Sequence, residues 1–359
     1  MKVAIDLSPL YSGHKFRGIG FYTKRLVAAM KPLAKNQAGL DLEFVKSTDK
    51  LRFIQADLIH YPYFSPFFLT LPSKPLAPSV VTIHDLIPVK YPNYFLAGLK
   101  GRLRWERQKR RLKKIKAIFT DSQIWRQEIN RLTGFPKEKI FSIPLAADKE
   151  FRKLPCPEMN GGNFSGEIKE KYQLPETFLL YVGDVNWNKN IPGLIRAFAA
   201  VIKQAQIEIK LVLVGKAFLN KELKETKELL QLIKLLDLNN KIMFLGYVPT
   251  EDLVAIYNLA AVYCQPSFDE GFGLPVLEAM ACGCPVVAAK TGSLPEVCGG
   301  AAVMVDPDSI NSIAEGIKQA IENRKKLSKK GFKQSRQFSW QKTARQTIKV
   351  YEKIYKQEN

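Results

Sequence analysis

Two glutamates eight residues apart, Glu270 and Glu278, bracket a Gly-Phe-Gly-Leu-Pro turn in "DEGFGLPVLEAM", Asp269 to Met280. The preceding "AVYCQPS" reads as a buried strand that stops at Ser267. Gly271 and Gly273 then permit loop angles closed to other residues. Pro275 suits the first position of a helix, and "VLEAMAC" continues it with good helix formers. Glu270 is therefore expected in the loop above the sheet edge and Glu278 about one turn into the helix. Between them, the amides around Phe272, Gly273 and Leu274 form a helix N-terminus, which attracts phosphate. At ~1.5 Å of rise per helical residue plus the loop, the carboxylates are on the order of 10 Å apart. A glycosidase pair acting across one bond sits at roughly 5–9.5 Å, so a shared acid/base role does not fit. One extended ligand does, with phosphates on the amides and a hydroxyl-rich group beneath each carboxylate. Nucleoside-diphosphate sugars have that shape. A solvated Glu278 and a Glu270 that merely caps loop amides is the plain alternative. The glycines and proline placed directly after a buried strand argue against it.

The elements that must position this motif alternate strand and helix, which predicts parallel sheets with helices on both faces, an α/β class. Strands are expected at 3–7, 42–45, 58–61, 79–86, 117–122 and 139–145, and again at 178–184, 209–215, 241–248, 261–267 and 285–289. Between the two sets, "LPCPEMNGGNFSG", Leu154 to Gly166, is rich in Pro, Gly and Asn and reads as a linker. Two doubly wound domains follow, each with a crevice at the carboxyl ends of its strands. After Asp306 the pattern turns helical and ends in "FSWQKTARQTIKVYEKIYK".

A chain of 359 residues suits two domains rather than one core. No run of ~18 apolar residues predicts a membrane-spanning helix, and "MKVAIDLSPL" enters a strand pattern without the features of a signal peptide. Five cysteines without Cys-x-x-Cys spacing and three histidines argue against a zinc site. Cys264, Cys282 and Cys284 read as small buried residues in a reducing cytosol. The net charge of +21 is the outlier and favours an anionic partner.

"PSFDEGFGLPVLEAMACGCPVV" followed by "GSLPEVCGGAA" closely resembles the motif of the retaining GT-B glycosyltransferases of family 4, the glycosyl transferases group 1 type. "RGIGFYTKRL", "VVTIHDLIP", "YVGDVNWNKN", "LVLVGK", "FLGYV" and "FSWQKTA" occur in the order of that family, so the likeness spans the chain. The resemblance implies a GT-B fold, two Rossmann-like domains facing across a cleft and closing on the donor. Residues 1–165 would form the acceptor side and 166–336 the nucleotide-sugar side, with a helix in 337–359 crossing back to the first domain. It implies that Glu270 contacts the donor sugar, that Glu278 binds ribose hydroxyls, and that the backbone at Gly271, Phe272, Gly273 and Leu274 holds diphosphate or sugar oxygens. Lys189 would neutralise the diphosphate, and His84, at the end of "SVVTIHDL", would face the donor sugar. Gly183, Asn188, Lys216 and Tyr247 join the donor-binding set. So do Gly18 and Gly20, read as a loop before a helix beginning near Phe21. Asp85 reads as structural.

Two departures stand out. Asn188 and Asp184 occupy positions where relatives carry arginine, so Lys189 would need help from Lys216 or Arg17. No Asp-x-Asp motif appears at a strand end, and the cationic role falls to Lys189 and the helix N-terminus; neither cofactor nor metal is expected. The implied reaction is retaining transfer of a hexose to an acceptor hydroxyl, carbohydrate or lipid-linked. GDP-mannose is the favoured donor, from the mannosyltransferase-like N-terminal loop, with UDP-sugars as the alternative. An epimerase of the same fold and a nucleic-acid-binding protein are the competing functions. The basic run "KGRLRWERQKRRLKKIK", residues 100–116, reads as an amphipathic helix whose cationic face is either merely solvated or rests on an anionic membrane at its cytoplasmic face. Nucleic acid is disfavoured because no binding motif is present and aromatics are not interleaved with the charges.

Overall fold

The computed structural model describes residues 1–13, 18–155, 164–205 and 208–358. The chain forms two compact units, Met1–Ala146 with Phe338–Asn359, and Ala147–Gln337. The division thus precedes the Pro- and Gly-rich stretch, of which residues 156–163 lie outside the described residues. The reason is local. Leu154 N donates to Asn258 Oδ1 at 2.9 Å and Asn258 Nδ2 donates to Arg152 O at 3.0 Å, so the chain is already tied to the second unit there.

In the first unit, β1 (Lys2–Asp6), β2 (Asp41–Val45), β3 (Leu58–Tyr61), β4 (Ser79–Thr82), β5 (Ala117–Thr120) and β6 (Ile140–Ser142) form one parallel sheet ordered β2-β1-β3-β4-β5-β6. In the second, β7 (Phe178–Val182), β8 (Lys210–Val214), β9 (Ile242–Gly246), β10 (Val262–Gln265), β11 (Val286–Ala289) and β12 (Val303–Val305) form another, ordered β12-β11-β10-β7-β8-β9. The second order is that of a Rossmann sheet, and the order in which successive strands are added reverses between β7 and β10. Ligands of open α/β sheets bind outside the carboxyl ends of strands at such a switch point.

Strands covered on both faces read as unbroken apolar runs, which is why "FLLYV" and "KLVLV" were legible. Leu211 and Leu213 pack against Leu194 and Phe198 of the helix Ile191–Ala205 and against Ile313 and Ile317 of the helix Ile310–Glu322. Ile59, Val81 and Ile118 pack with Trp125 and Ile129 of the helix Gln123–Thr133. Strand β12 was not foreseen, being a three-residue edge strand immediately before Asp306. Cys264, Cys282, Cys284 and Cys298 are buried, and burial raises all four thiol pKa values.

The final helix, Trp340–Glu358, belongs to the first unit. Thr343 Oγ1 donates to Pro144 O at 2.7 Å, and Lys116 pairs with Glu358 at 2.7 Å. Deeper in, Tyr351 Oη and His60 Nδ1 lie 2.6 Å apart, His60 Nε2 and Thr82 Oγ1 2.8 Å, and Thr82 Oγ1 and Tyr22 Oη 3.0 Å. Burial pushes the His60 pKa down to about 3, so the ring stays neutral and can serve one neighbour as donor and the other as acceptor. Tyr351→Phe strips one buried ring nitrogen of its partner. We expect it to lower unfolding free energy by about 1–3 kcal/mol in urea titration. A change below ~0.5 kcal/mol, the range of surface substitutions, would mean that apolar contact alone holds the helix.

Candidate functional site

The site is built at the switch point of the second sheet. Lys189 closes the short helix Trp187–Lys189 after β7, and Glu270 lies in the loop after β10. The parallel pairing of those strands brings the two side chains together. Lys189 Nζ donates to Glu270 Oε1 at 2.8 Å and Oε2 at 2.7 Å. Glu270, 5 % exposed, also accepts Gln265 Nε2 at 2.6 Å and Ser267 Oγ at 2.7 Å on Oε1. Tyr263 Oη donates to Gln265 Oε1 at 2.6 Å, which turns the Gln265 amide so that its nitrogen faces Glu270. The burial of this carboxylate is compensated by a cation and several donors. The sequence reading gave Lys189 and Glu270 separate roles; the structure makes them partners.

The two loops are fastened to each other beneath this pair. Phe268 N donates to Asn188 O at 2.8 Å, and Asn188 Nδ2 donates to Asp269 O at 3.0 Å. Asn190 Nδ2 donates to Pro266 O at 3.1 Å and Pro307 O at 2.7 Å. Asn188, read as the stand-in for an arginine, is a buried strut between the loops. Ser293 Oγ reaches Glu270 O at 3.0 Å and Phe272 O at 2.8 Å, while Thr291 Oγ1 holds Ser267 O at 2.9 Å. Gln265, Ser267, Thr291 and Ser293 were missed by sequence reasoning, although the "GSLPE" segment beside the glutamates was its signal.

Glycines let these pieces approach. A Cβ on Gly292, at φ +56°, would lie 2.5 Å from Asp269 Oδ1 and 2.8 Å from Glu270 N. A Cβ on Gly215 would lie 2.0 Å from Gly183 O, and one on Gly183 would lie 2.5 Å from Tyr181 Oη. Gly183 was expected to approach a ligand; the structure shows that a side chain there would meet the buried Tyr181 of β7, and that it is Gly215 whose lack of a side chain lets the ends of β7 and β8 meet.

The helix Leu274–Ala281 starts at Gly273, which adopts φ +98°, and no side chain caps it. Phe272 is buried and Gly271 partly exposed. Glu278, the fifth helical residue, accepts Tyr257 Oη at 3.1 Å on Oε2. Burial, only partly offset by that bond, pushes its pKa from 4.5 up to about 7. Glu270 and Glu278 thus sit in different networks. At the neighbouring strand ends, the Lys216 ammonium lies 4.8 Å from the centre of the Tyr247 ring, which is 58 % exposed.

In the first unit, His84 and Asp85 lie past the end of β4. His84 Nδ1 pairs with Asp121 Oδ2 at 2.8 Å, and the Tyr22 ring meets the imidazole edge-on at 4.6 Å. Burial works against the imidazolium, but the charge and hydrogen bond of Asp121 outweigh it, and the His84 pKa is raised. Asp85 accepts Ile87 N at 3.0 Å. Gly18 and Gly20 are not in a loop, contrary to the expectation, but in the first turn of the helix Gly18–Lys35. A Gly-x-Gly reads as a helix breaker from propensity, yet in a first turn, where amides lack intrahelical partners, that penalty does not decide the fold. Arg17 lies outside the described residues.

A family profile described as "Glycosyl transferases group 1" matches residues 165–357, more than half of the chain. The chain belongs to this family. A second profile, "Glycosyltransferase Family 4", matches residues 13–151 of this group 1 glycosyltransferase. It is 35 % identical over 301 residues to the O-antigen chain mannosyltransferase B of Escherichia coli, covering 82 % of this chain and 75 % of that one. It is 29 % identical over 284 residues to the serotype-specific mannosyltransferase WbdA of E. coli, 77 % of this chain but only 33 % of WbdA. Among solved structures it resembles Anabaena HepE in complex with UDP-glucose, with a TM-score of 0.72 at 19 % identity over 98 % of this chain and all of that one. That likeness establishes the GT-B fold.

The raised pKa of Glu278 has a testable consequence. A carboxyl that binds its proton more tightly folded than unfolded lowers stability as pH rises from about 4.5 through 7. Glu278→Gln removes that loss. The variant's stability relative to the parent should therefore grow between pH 5 and pH 8, by on the order of 2–3 kcal/mol in denaturant titrations at the two pH values. A difference independent of pH would contradict the burial of an ionisable Glu278.

Proposed function

We propose that this glycosyltransferase moves a hexose, mannose in the favoured case, from a nucleoside-diphosphate sugar to an acceptor hydroxyl with retention of configuration. The observation that carries the reading is the Lys189–Glu270 pair at the switch point, next to the uncapped helix Leu274–Ala281. Donor diphosphate would take Lys189 and the helix N-terminus, and sugar hydroxyls would take Glu270. Positive groups placed where a leaving group gains charge stabilise its departure. Glu278 would accept the ribose hydroxyls, and Lys216 and Tyr247 flank the same strand edge. In the reaction, the bond from the anomeric carbon to the phosphate oxygen breaks as the sugar takes on oxocarbenium character. The acceptor oxygen attacks from the same face, and its proton passes to the departing phosphate oxygen. His84 is proposed to contact the donor sugar.

The mannosyltransferase names among the relatives support GDP-mannose as donor, and UDP-sugars are the alternative. The O-antigen relative supports a saccharide acceptor, free or lipid-linked. An epimerase would convert donor without any acceptor, and the family membership does not favour it. The test is to incubate the chain with GDP-mannose and a mannose-terminated acceptor and to determine the anomeric configuration of the product by NMR. We expect an α-linked product, and a loss of at least ~10²-fold in kcat for Glu270→Ala and for Lys189→Ala. An inverted product, or full activity of Glu270→Ala, would overturn the mechanism.

We also propose that the basic segment 100–116 rests on an anionic membrane at its cytoplasmic face. No helix among the described residues is long and apolar enough to cross a membrane. The helix Gly98–Leu112 turns Leu112 inward, and Gln108 Nε2 bonds Ser65 O, Phe68 O and Thr70 Oγ1 at 2.8–3.0 Å. Leu96, Leu99 and Leu103, by contrast, present 87, 75 and 54 % of their surface. Lys100, Arg102, Arg107 and Arg110 of the same helix are exposed as well. Leucines so exposed amid cations fit a lipid interface better than the phosphates of a nucleic acid. In co-sedimentation with vesicles of phosphatidylglycerol and phosphatidylcholine, Leu99→Ser with Leu103→Ser should weaken binding several-fold at moderate salt. Indifference of the parent chain to these vesicles at low salt would remove the proposal.

A further inference from the structure

Two aromatic rings stand beside the ion pair without a role in anything described above. Trp187 and Phe268 are stacked, with centroids 4.9 Å apart and planes inclined by 22°. Trp187 precedes Lys189 by two residues and Phe268 precedes Glu270 by two, so the stack and the ion pair are rungs of one ladder between the loops after β7 and β10. Between those rungs lie the bonds from Phe268 N to Asn188 O and from Asn188 Nδ2 to Asp269 O. Those bonds, the ion pair and the Asn190 contacts already fasten the loops. Yet both rings are only partly buried, unlike Phe272 in the same loop, which is 6 % exposed.

We propose that Trp187 and Phe268 form the platform on which the ring of the acceptor sugar packs. A pyranose carries C–H groups on one face and hydroxyls at its rim, so an aromatic surface grips it where hydrogen-bonding groups cannot. Aromatic rings supply large, rigid contact area at small entropic cost. The proposal rests on the retaining reading above. In front-side transfer the acceptor oxygen enters on the face from which the diphosphate departs, and the diphosphate is held by Lys189. The stack adjoins Lys189, which places an acceptor on the departing side. On that reading the diphosphate spans Lys189 and the amides opening the helix Leu274–Ala281, and the donor sugar lies at Glu270. The acceptor subsite is therefore one for a hexopyranose with an exposed apolar face.

The experiment uses the full chain, GDP-mannose and methyl α-mannoside as acceptor probe. Trp187→Leu and Phe268→Leu should each raise the KM for methyl α-mannoside about tenfold. The Kd for GDP-mannose and the slow acceptor-independent hydrolysis of the donor should stay unchanged. Trp187→Phe, which keeps an aromatic stack, should restore the acceptor KM to within a few-fold of the parent and controls for folding. Acceptor should quench tryptophan fluorescence in the parent and not in Trp187→Leu, which retains Trp105, Trp125 and Trp340. An unchanged acceptor KM, or a donor Kd that weakens in step with it, would show the stack to be a loop fastening only and overturn the proposal. A parent chain that neither binds nor hydrolyses any nucleoside-diphosphate sugar would instead refute the donor reading itself.

Discussion

The ion pair between Lys189 and Glu270 is the constraint around which the second unit is arranged. A carboxylate 5 % exposed is costly unless it is compensated, and here it has a cation on both oxygens and two further donors. None of those donors is adjacent to it in the chain. Lys189 comes from the end of β7, Gln265 and Ser267 from the end of β10, and Tyr263 orients Gln265 from inside the sheet. The parallel β7–β10 pairing, at the point where the strand order reverses, is what brings Lys189 to a carboxylate that already has Gln265 and Ser267 from its own strand end. On the proposed reading the pair also has a chemical use: two opposite charges would hold each other in place until a ligand of mixed character, anionic at one point and rich in hydroxyls at another, takes over both.

Much of the surrounding sequence is explained by the need to keep that edge compact. Gly183, Gly215 and Gly292 stand where a side chain would collide with backbone or with a buried polar atom. Ser293 and Thr291, from the loop after β11, hold the carbonyls of the Glu270 loop, so the segments on either side of β11 act as one motif. The first unit solves a similar problem with neutral groups. His60 links Thr82 on β4 to Tyr351 on a helix 291 residues away along the chain. This explains why the C-terminal segment belongs with the N-terminal sheet.

What was legible in the sequence follows from the range of the forces involved. Strands buried on both faces wrote themselves as apolar runs, and the helix Leu274–Ala281 was announced by Pro275 and the good helix formers after it. The loop position of Glu270 followed from its glycines. The partnership of Lys189 with Glu270 was not legible, because it depends on strand order, which no local pattern encodes. The same holds for His60 and Tyr351. The packed face of the helix Gly98–Leu112 was not legible, because amphipathic spacing shows that a helix has two faces without showing how wide each is; here buried Gln108 occupies it. Gly18 and Gly20 were misread because helix propensity penalises glycine in helix interiors, whereas these stand in the first turn. The unit boundary was displaced from the Pro- and Gly-rich stretch because Asn258 secures residues 152–154 by bonds made about a hundred residues away in sequence.

The central claim is that the Lys189–Glu270 pair is exchanged for donor. A crystal structure of the chain with a non-transferable nucleoside-diphosphate sugar tests it most directly. The account predicts diphosphate oxygens at Lys189 Nζ and at the amides opening the helix Leu274–Ala281, with the Glu270 carboxylate turned onto a sugar hydroxyl. A bound donor that leaves the ion pair closed and lies away from the β7–β10 switch point would contradict it.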